Sequence, residues 1–158
     1  KNMEFEEPTS FCSILLLDHE EKHLLMGAAP SLPDFYNVAI NGLEIGEGVG
    51  SCGTAAYLKT RVIVEDIMSH KYWKPYKELA QKAGLASCWS EPIISSIGKV
   101  LGTFAIYHSK AAIPNSSDIE RIKFAANLAS IAIENRNARF ELEHRAYTYY
   151  LTNVPNRR

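Results

Sequence analysis

Between residues 117 and 150 the chain contains neither proline nor glycine, and no other stretch limits its shape as strongly. The run opens on a capping box, Ser117 followed three residues later by Glu120, which predicts one uninterrupted helix. At about 1.5 Å per residue that helix is a rod of roughly 50 Å, whereas a compact domain of this chain length has a radius of gyration of about 14 Å. The rod must project beyond the globule. Ile119, Ile122, Ala126, Ala129, Ile133, Phe140, Tyr147 and Tyr150 recur along it, with Arg136 and Glu143 interrupting, as a coiled-coil-like seam. A projecting apolar seam is covered most simply by a second copy of itself. Ile133, Phe140 and Tyr147 are therefore expected to hold a homodimer. The alternative, a helix folded back over its own sheet, covers the first half of the seam but leaves Phe140, Leu142 and Tyr147 unexplained.

The remainder has an ordinary globular composition. The 158 residues are 46% hydrophobic and 22% charged, with 17 basic and 18 acidic side chains and a net charge of −1, which suits one domain with a core and an appendage. No basic block and no interleaving of Lys or Arg with aromatics offers a surface to nucleic acid. The longest apolar runs, such as residues 12–17, fall far short of the ~20 residues that cross a bilayer, and no signal peptide precedes them. No membrane contact is expected. The cysteines, Cys12, Cys52 and Cys88, are odd in number and lack CxxC spacing, which fits reduced thiols in the cytoplasm. Cys12, inside an apolar run, reads as a small core hydrophobe. The first residue is Lys1, so the chain is expected to be a segment of a longer protein.

The order of elements is mixed. Residues 11–18 and 23–29 read as an antiparallel hairpin joined by the polar HEEK. A short helix follows Pro33 and ends at Gly42. Residues 61–67 form a third strand, and 72–84 an amphipathic helix closed by Gly84. Residues 86–94 and 99–108 flank Gly98 as a hairpin of two long strands.

The stretch GEGVGSCGTAAYL, residues 46–58, packs glycines, small hydroxyls and a cysteine before a helix-like run. Free backbone N–H groups and the positive end of a helix dipole would converge at Ser51, Cys52, Gly53 and Thr54, a setting that favours an anion or a carbonyl. The stretch lacks the Lys-[ST] of a P-loop and does not follow a strand in a βαβ unit. A plain turn, with Ser51 or Thr54 as N-cap, explains it equally well. Tyr36, Trp73, Tyr76, Trp89 and Tyr107 would rim a pocket beside it, although large aromatics also fill ordinary cores.

The blocks CSILLLD, GAAPSLPDFYNVAINGLEIGEGVGSCGTAAY, VIVEDI, GLASCWSEPIISSIGKVLGTFAIYH and LASIAIENR, in this order and spacing, resemble the GAF domain of bacterial signalling proteins. The resemblance implies an α+β fold with a central antiparallel sheet of about six strands and helices on both faces. It also implies a small-molecule pocket or its remnant, with Ser51, Cys52, Gly53, Thr54, Tyr36, Trp73, Cys88 and Trp89 as its residues, and paired terminal helices that signal to an output domain. Residues 1–10 would be a shortened lead, 11–139 the GAF domain, and 140–158 a signalling helix running into a further domain. There, Leu151, Thr152, Pro155, Asn156 and Arg157 resemble the start of a GGDEF diguanylate cyclase domain, with Tyr149 where Asp is usual and Asn153 where Gly is usual.

GVGSCGTA and ASCWSEPI also resemble blocks of the free methionine-(R)-sulfoxide reductases, a catalytic branch of the same fold. That resemblance implies Cys88 as the attacking thiolate and Cys52 as the resolving thiol, although only Trp89 separates Cys88 from Ser90-Glu91 where the reductases have more residues. No cofactor is named by the sequence. The histidines lie at turn or helix positions, no Cys-His pair suggests a linear tetrapyrrole, and no spacing suggests zinc. Glu65, Asp66 and Glu91 read as strand-end carboxylates rather than a catalytic pair. The expectation is therefore a sensory module without catalytic residues or a metal.

Overall fold

The computed structural model describes residues 10–152, with side chains as far as residue 146. The lead at 1–9 and the GGDEF-like positions Pro155, Asn156 and Arg157 lie outside the described residues, as does the side chain of Tyr147. The elements run β1 (Ser10–Leu17), β2 (His23–Ala28), α1 (Asp34–Ile40), β3 (Leu43–Glu44), α2 (Gly50–Leu58), β4 (Val62–Val64), α3 (Lys77–Ala83), β5 (Ser87–Ile94), β6 (Val100–His108) and α4 (Ser116–Thr152). Six strands form one sheet in the order β3-β2-β1-β6-β5-β4, and all paired neighbours are antiparallel. This is the α+β architecture expected.

The two long strands at the middle explain how the sheet divides inside from outside. Successive side chains of a strand point to opposite faces, and Cys88, Ser90, Ala105 and Tyr107 share one face in the β5–β6 register. α2 packs on that face, where Ser90 Oγ reaches Cys52 Sγ at 3.4 Å. Trp89 points the other way, toward the segment that leads into α4, and its Nε1 donates to the Ala112 carbonyl at 3.1 Å. α4 lies along β5 and β6 on this second face, where the Ser130 hydroxyl donates to the Ile94 carbonyl at 2.7 Å. At the crossing of β6 with β1, a side chain on Gly102 would fall on the Leu15 carbonyl oxygen, so only glycine lets the central strands approach.

Several local expectations need correction. The sixth strand is the two-residue β3, too short to show a period in sequence. The helix expected over 72–84 is broken: residues Lys71–Tyr76 form a 3-10 segment containing Pro75, and α3 proper starts at Lys77, because proline has no N–H for an interior helical bond. The capping box of α4 sits two residues earlier than Ser117 and Glu120. Asn115 Oδ1 accepts from Asp118 N–H at 2.8 Å, and Asp118 Oδ2 accepts from Asn115 N–H at 2.9 Å. Cys12 is exposed and not a core residue, since its place in β1 alternates with buried Ser13. The first half of the seam is also assigned differently. Ile122 and Ala126 are buried against the molecule's own sheet, and Ile133 is half-buried there. Ile133 is thus engaged within its own domain, while Phe140 farther along is exposed and stacks on His144 with ring centroids 6.3 Å apart.

Candidate functional site

The glycine-rich loop is built as a turn that starts α2. Gly48 and Gly50 have φ of +96° and +60°, the left-handed region that side chains avoid. Neither Ser51 nor Thr54 is the N-cap; that position is Val49, with no side-chain cap. Thr54 instead stitches the turn from within, its Oγ1 donating to the Gly50 carbonyl at 2.6 Å and accepting from Gly48 N–H at 3.0 Å. Ser51 Oγ accepts from Trp73 Nε1 at 3.0 Å and donates to the Cys88 carbonyl at 3.1 Å, joining α2, the 3-10 segment and β5. Both hydroxyls therefore have structural partners. Gly53 borders the cavity behind the loop, but its missing Cβ is where Val49 sits: a Cβ there would lie 2.6 Å from the Val49 Cβ.

The cavity between the sheet, α1, α2 and Trp73 has a volume of about 30 Å³. That is room for more than one water, which needs ~10–15 Å³ on the same measure, against ~300 Å³ or more for a drug-sized ligand site. Aromatic rings form much of its lining. Tyr36 and Tyr107 meet edge to face with centroids 5.7 Å apart, and their hydroxyls are hydrogen-bonded at 3.3 Å. Burial pushes both phenols well above their ordinary pKa, so they are neutral donors at pH 7.

The structure brings Tyr36, Ser51, Cys52, Gly53, Trp73, Tyr76 and Tyr107 to this cavity. Cys88 and Thr54 are buried behind its wall. Trp89 is not at the cavity at all; it lies on the opposite face, its ring 4.4 Å from that of His108. The sequence block ASCWSEPI set Cys88 and Trp89 side by side, but one residue of offset in a strand moves a side chain to the other face. The same alternation identifies what was missed: Ser90, two residues from Cys88, shares the inner face.

Two buried thiols lie under the cavity. Cys52 Sγ accepts from Ser90 Oγ at 3.4 Å and is in hydrogen-bonding contact with Tyr107 Oη at 3.9 Å, while Ser51 beside it reaches the Cys88 carbonyl. Donation from Cys88, opposed by burial and aided by the hydroxyls, brings the Cys52 pKa down to about 7. Burial pushes Cys88 well up, and the neighbouring Cys52 sulfur adds to the rise. The direction favours ionisation at Cys52 over Cys88, whereas the reductase resemblance implies Cys88 as the attacking thiolate.

Two of the three strand-end carboxylates, Glu91 and Asp66, have local structural partners. Glu91 accepts from Arg61 Nε at 2.6 Å, and Asp66 accepts from Met68 N–H to cap a 3-10 turn. Asp18, Glu20 and His23 cluster at the first hairpin. There Asp18 takes up the N–H groups of Lys22 and His23 and the His23 ring. Among the described residues, no helix is long and apolar enough to cross a membrane.

A sensor from Methanosarcina acetivorans, the methyl sulfide methyltransferase-associated sensor, is 46% identical over 132 residues, covering 84% of this chain and 13% of that protein. The chain thus corresponds to a small part of that relative's length. The GAF domain from an Acinetobacter phosphoenolpyruvate-protein phosphotransferase superposes with a TM-score of 0.63 at 17% identity, covering 83% of this chain and 74% of that one. Residues 122 to 287 of a methyl-accepting chemotaxis protein give 0.65 at 25% identity, covering 81% and 79%. The reduced fRMsr of Staphylococcus aureus gives 0.55 at 21%, covering 73% and 66%. The family model of the GAF domain matches residues 3–134, which fits the strand order, the α2 turn and the helix across β5 and β6, and this chain belongs to the GAF domain family.

Proposed function

We propose that this GAF domain is a regulatory and non-catalytic module of a cytoplasmic signalling protein, paired with a second copy and relaying a change in its core through α4 to an output domain. The observation that carries this reading is the continuity of α4. It is gripped by the sheet at one end, through Ser130 on Ile94 and Glu134 on Ser96 Oγ at 3.0 Å, and runs on without a break to Thr152. The sensor relative supports the same role. The tail's resemblance to the start of a GGDEF domain makes a diguanylate cyclase the output to test first. Tyr36 and Trp73 narrow the cavity, so the incoming signal is a small ligand that fits between them or a rearrangement of the core.

In the full-length protein, seven residues inserted after Asn137 should preserve regulated cyclic-di-GMP synthesis. Insertion of four should uncouple it, because seven residues restore the helical phase of a paired seam and four do not. Equal behaviour of the two insertions would overturn the relay, and an output unrelated to cyclic-di-GMP would overturn its assigned target.

The reductase reading has a direct check. Free methionine sulfoxide with a thioredoxin-type reductant should give no turnover, since burial pushes Cys88, the attacking thiol that the resemblance implies, well above the ordinary thiol range. Turnover that disappears in Cys52→Ser would replace the regulatory reading with the catalytic one.

A further inference from the structure

We propose that His70 is a proton-operated latch on the wall of the cavity: neutral, it holds the 3-10 segment that carries Trp73, and protonated, it lets that segment go. The latch stands by itself; only its effect on α4 rests on the relay described above.

His70 joins two short 3-10 turns. Its backbone N–H donates to the Ile67 carbonyl at 3.3 Å and ends the first turn, Ile67–Ser69. Its carbonyl accepts from Trp73 N–H at 3.1 Å and opens the second, Lys71–Tyr76. The ring closes the joint, because Nδ1 accepts from Tyr72 N–H at 3.1 Å as the side-chain cap of the second turn. A backbone N–H can only donate, so this bond exists only while Nδ1 carries no proton and the ring hydrogen sits on Nε2. On protonation both ring nitrogens become donors. Two N–H groups then face each other where one bond stood, and the cap is lost.

Little else fastens the segment. A 3-10 turn has poorer hydrogen-bond geometry than an α-helix, and Pro75 within it has no N–H to contribute. What the segment carries is the cavity wall. Trp73 is buried there, its Nε1 donates to Ser51 Oγ at 3.0 Å, and that hydroxyl donates to the Cys88 carbonyl. The Trp73 ring also stands over the start of α2, where a Cβ on Gly50 would lie 3.6 Å from it. Side chains three apart eclipse in a 3-10 helix, so Trp73 and Tyr76, with ring centroids 6.4 Å apart, line the cavity together and move together. Release at His70 therefore widens the space beside Tyr36 and loosens the tie between α2 and β5.

The charges around the ring keep it neutral or are engaged elsewhere. Burial lowers the His70 pKa below its ordinary 6.5, and the neighbouring Lys71 lowers it further. The bond to Nδ1, which only the neutral ring accepts, acts in the same sense. Tyr72 lies against the imidazole with centroids 4.8 Å apart, and its hydroxyl donates to Glu47 at 3.2 Å. Asp66, in the preceding turn, accepts from Met68 N–H at 3.2 Å. Since the folded chain disfavours the protonated ring more than the unfolded chain does, the latch is fully set above pH 6.5 and is lost as pH falls through the lowered pKa.

The test follows Trp73 in the chain with Trp89 changed to phenylalanine, which leaves one tryptophan of the two. From about pH 8 to about pH 5, the span over which histidines titrate, acrylamide should quench Trp73 fluorescence increasingly well, and the Trp73 indole N–H resonance should lose its hydrogen-bonded shift. Both midpoints should coincide with the His70 ring titration followed by NMR in the unchanged chain, and all should lie below 6.5. His70→Asn keeps a capping oxygen that does not titrate, so its Trp73 should stay protected throughout. His70→Ala has no cap and should expose Trp73 at every pH. Far-UV circular dichroism should stay constant across the transition. Protection of Trp73 that persists while His70 titrates, a transition retained in His70→Asn, a His70 midpoint at or above 6.5, or loss of the far-UV signal with the same midpoint would overturn the proposal. Each of these outcomes leaves the relay intact, because the insertions after Asn137 test α4 at a single pH.

Discussion

Replacing Gly53 by valine should destabilise the domain by about 3 kcal/mol, at the upper end of what overpacking a filled core usually costs. The cause is contact and not backbone conformation. Gly53 does not have positive φ, but a Cβ at this position would come within 2.7 Å of both Val49 Cβ and Val49 Cγ1. Neither neighbouring atom is the loose end of a long side chain that could swing away. Val49 is itself fixed as the N-cap of α2, with its carbonyl accepting from Gly53 N–H at 3.0 Å. The collision can be relieved from the other side, so Val49→Gly combined with Gly53→Ala should recover at least about 1 kcal/mol relative to the sum of the single changes. Denaturant unfolding of the four proteins measures this coupling. A Gly53→Val protein of native stability that loses a ligand-induced thermal shift seen in the wild type would instead make the loop a binding surface. Such a shift amounts to about 2.7 kcal/mol at a hundredfold excess over the dissociation constant.

Long elements with a clear period were legible in the sequence. The alternation in 86–94 and 99–108 around Gly98 gives β5 and β6, and the unbroken run after residue 116 gives α4. The loop glycines pointed to a tight turn, yet their separate duties depend on three-dimensional neighbours: Gly48 and Gly50 on φ, Gly53 on Val49. Tyr36, Trp73, Tyr76 and Tyr107 were recognisable as one aromatic group. Trp89 adjoins Cys88 in the sequence and so reads as part of the same pocket, but strand geometry sends the two to opposite faces. The reductase resemblance pairs Cys52 with Cys88, but the neighbours of each depend on how α2 crosses β5, where Ser51 Oγ reaches the Cys88 carbonyl, and no local spacing encodes that crossing. The resemblance between blocks supplied the fold; the hydroxyls of Ser90 and Tyr107 around Cys52 came only from packing.

The second large effect concerns the dimer, and the faces of α4 decide which residues should carry it. Ile119, Ala126, Ile133 and Phe140 follow one another at sevens, so they lie along one line of the helix. The sheet already covers that line at Ala126 and partly at Ile133, which leaves no room for a partner until the helix clears the domain. Residues two positions away lie about 200° around a helix of 3.6 residues per turn, nearly opposite the sheet. There the sequence places Phe124, Leu128, Ile131, Asn135, Ala138 and Leu142 at alternating spacings of four and three. The four large apolar members are 65%, 51%, 56% and 65% exposed in the single chain. This is the pattern of a coiled-coil seam, and Asn135 occupies the kind of position at which a buried polar pair fixes register. A dimer built on this line leaves the sheet contacts of Ile122 and Ala126 undisturbed, whereas one built on Ile133 would have to peel the helix from its own domain. Leu128→Glu together with Ile131→Glu should therefore weaken dimerisation by at least about a hundredfold, equivalent to some 2.7 kcal/mol, while leaving the thermal unfolding of the monomeric domain nearly unchanged. Ile133→Glu should do the reverse, lowering stability through burial of a charge against the sheet with the association constant little altered. Sedimentation equilibrium and unfolding on the same samples separate the two results. A wild-type chain that is monomeric at high micromolar concentration, or a dimer broken by Ile133→Glu but not by the Leu128 and Ile131 pair, would show that α4 does not join its copies along the exposed line.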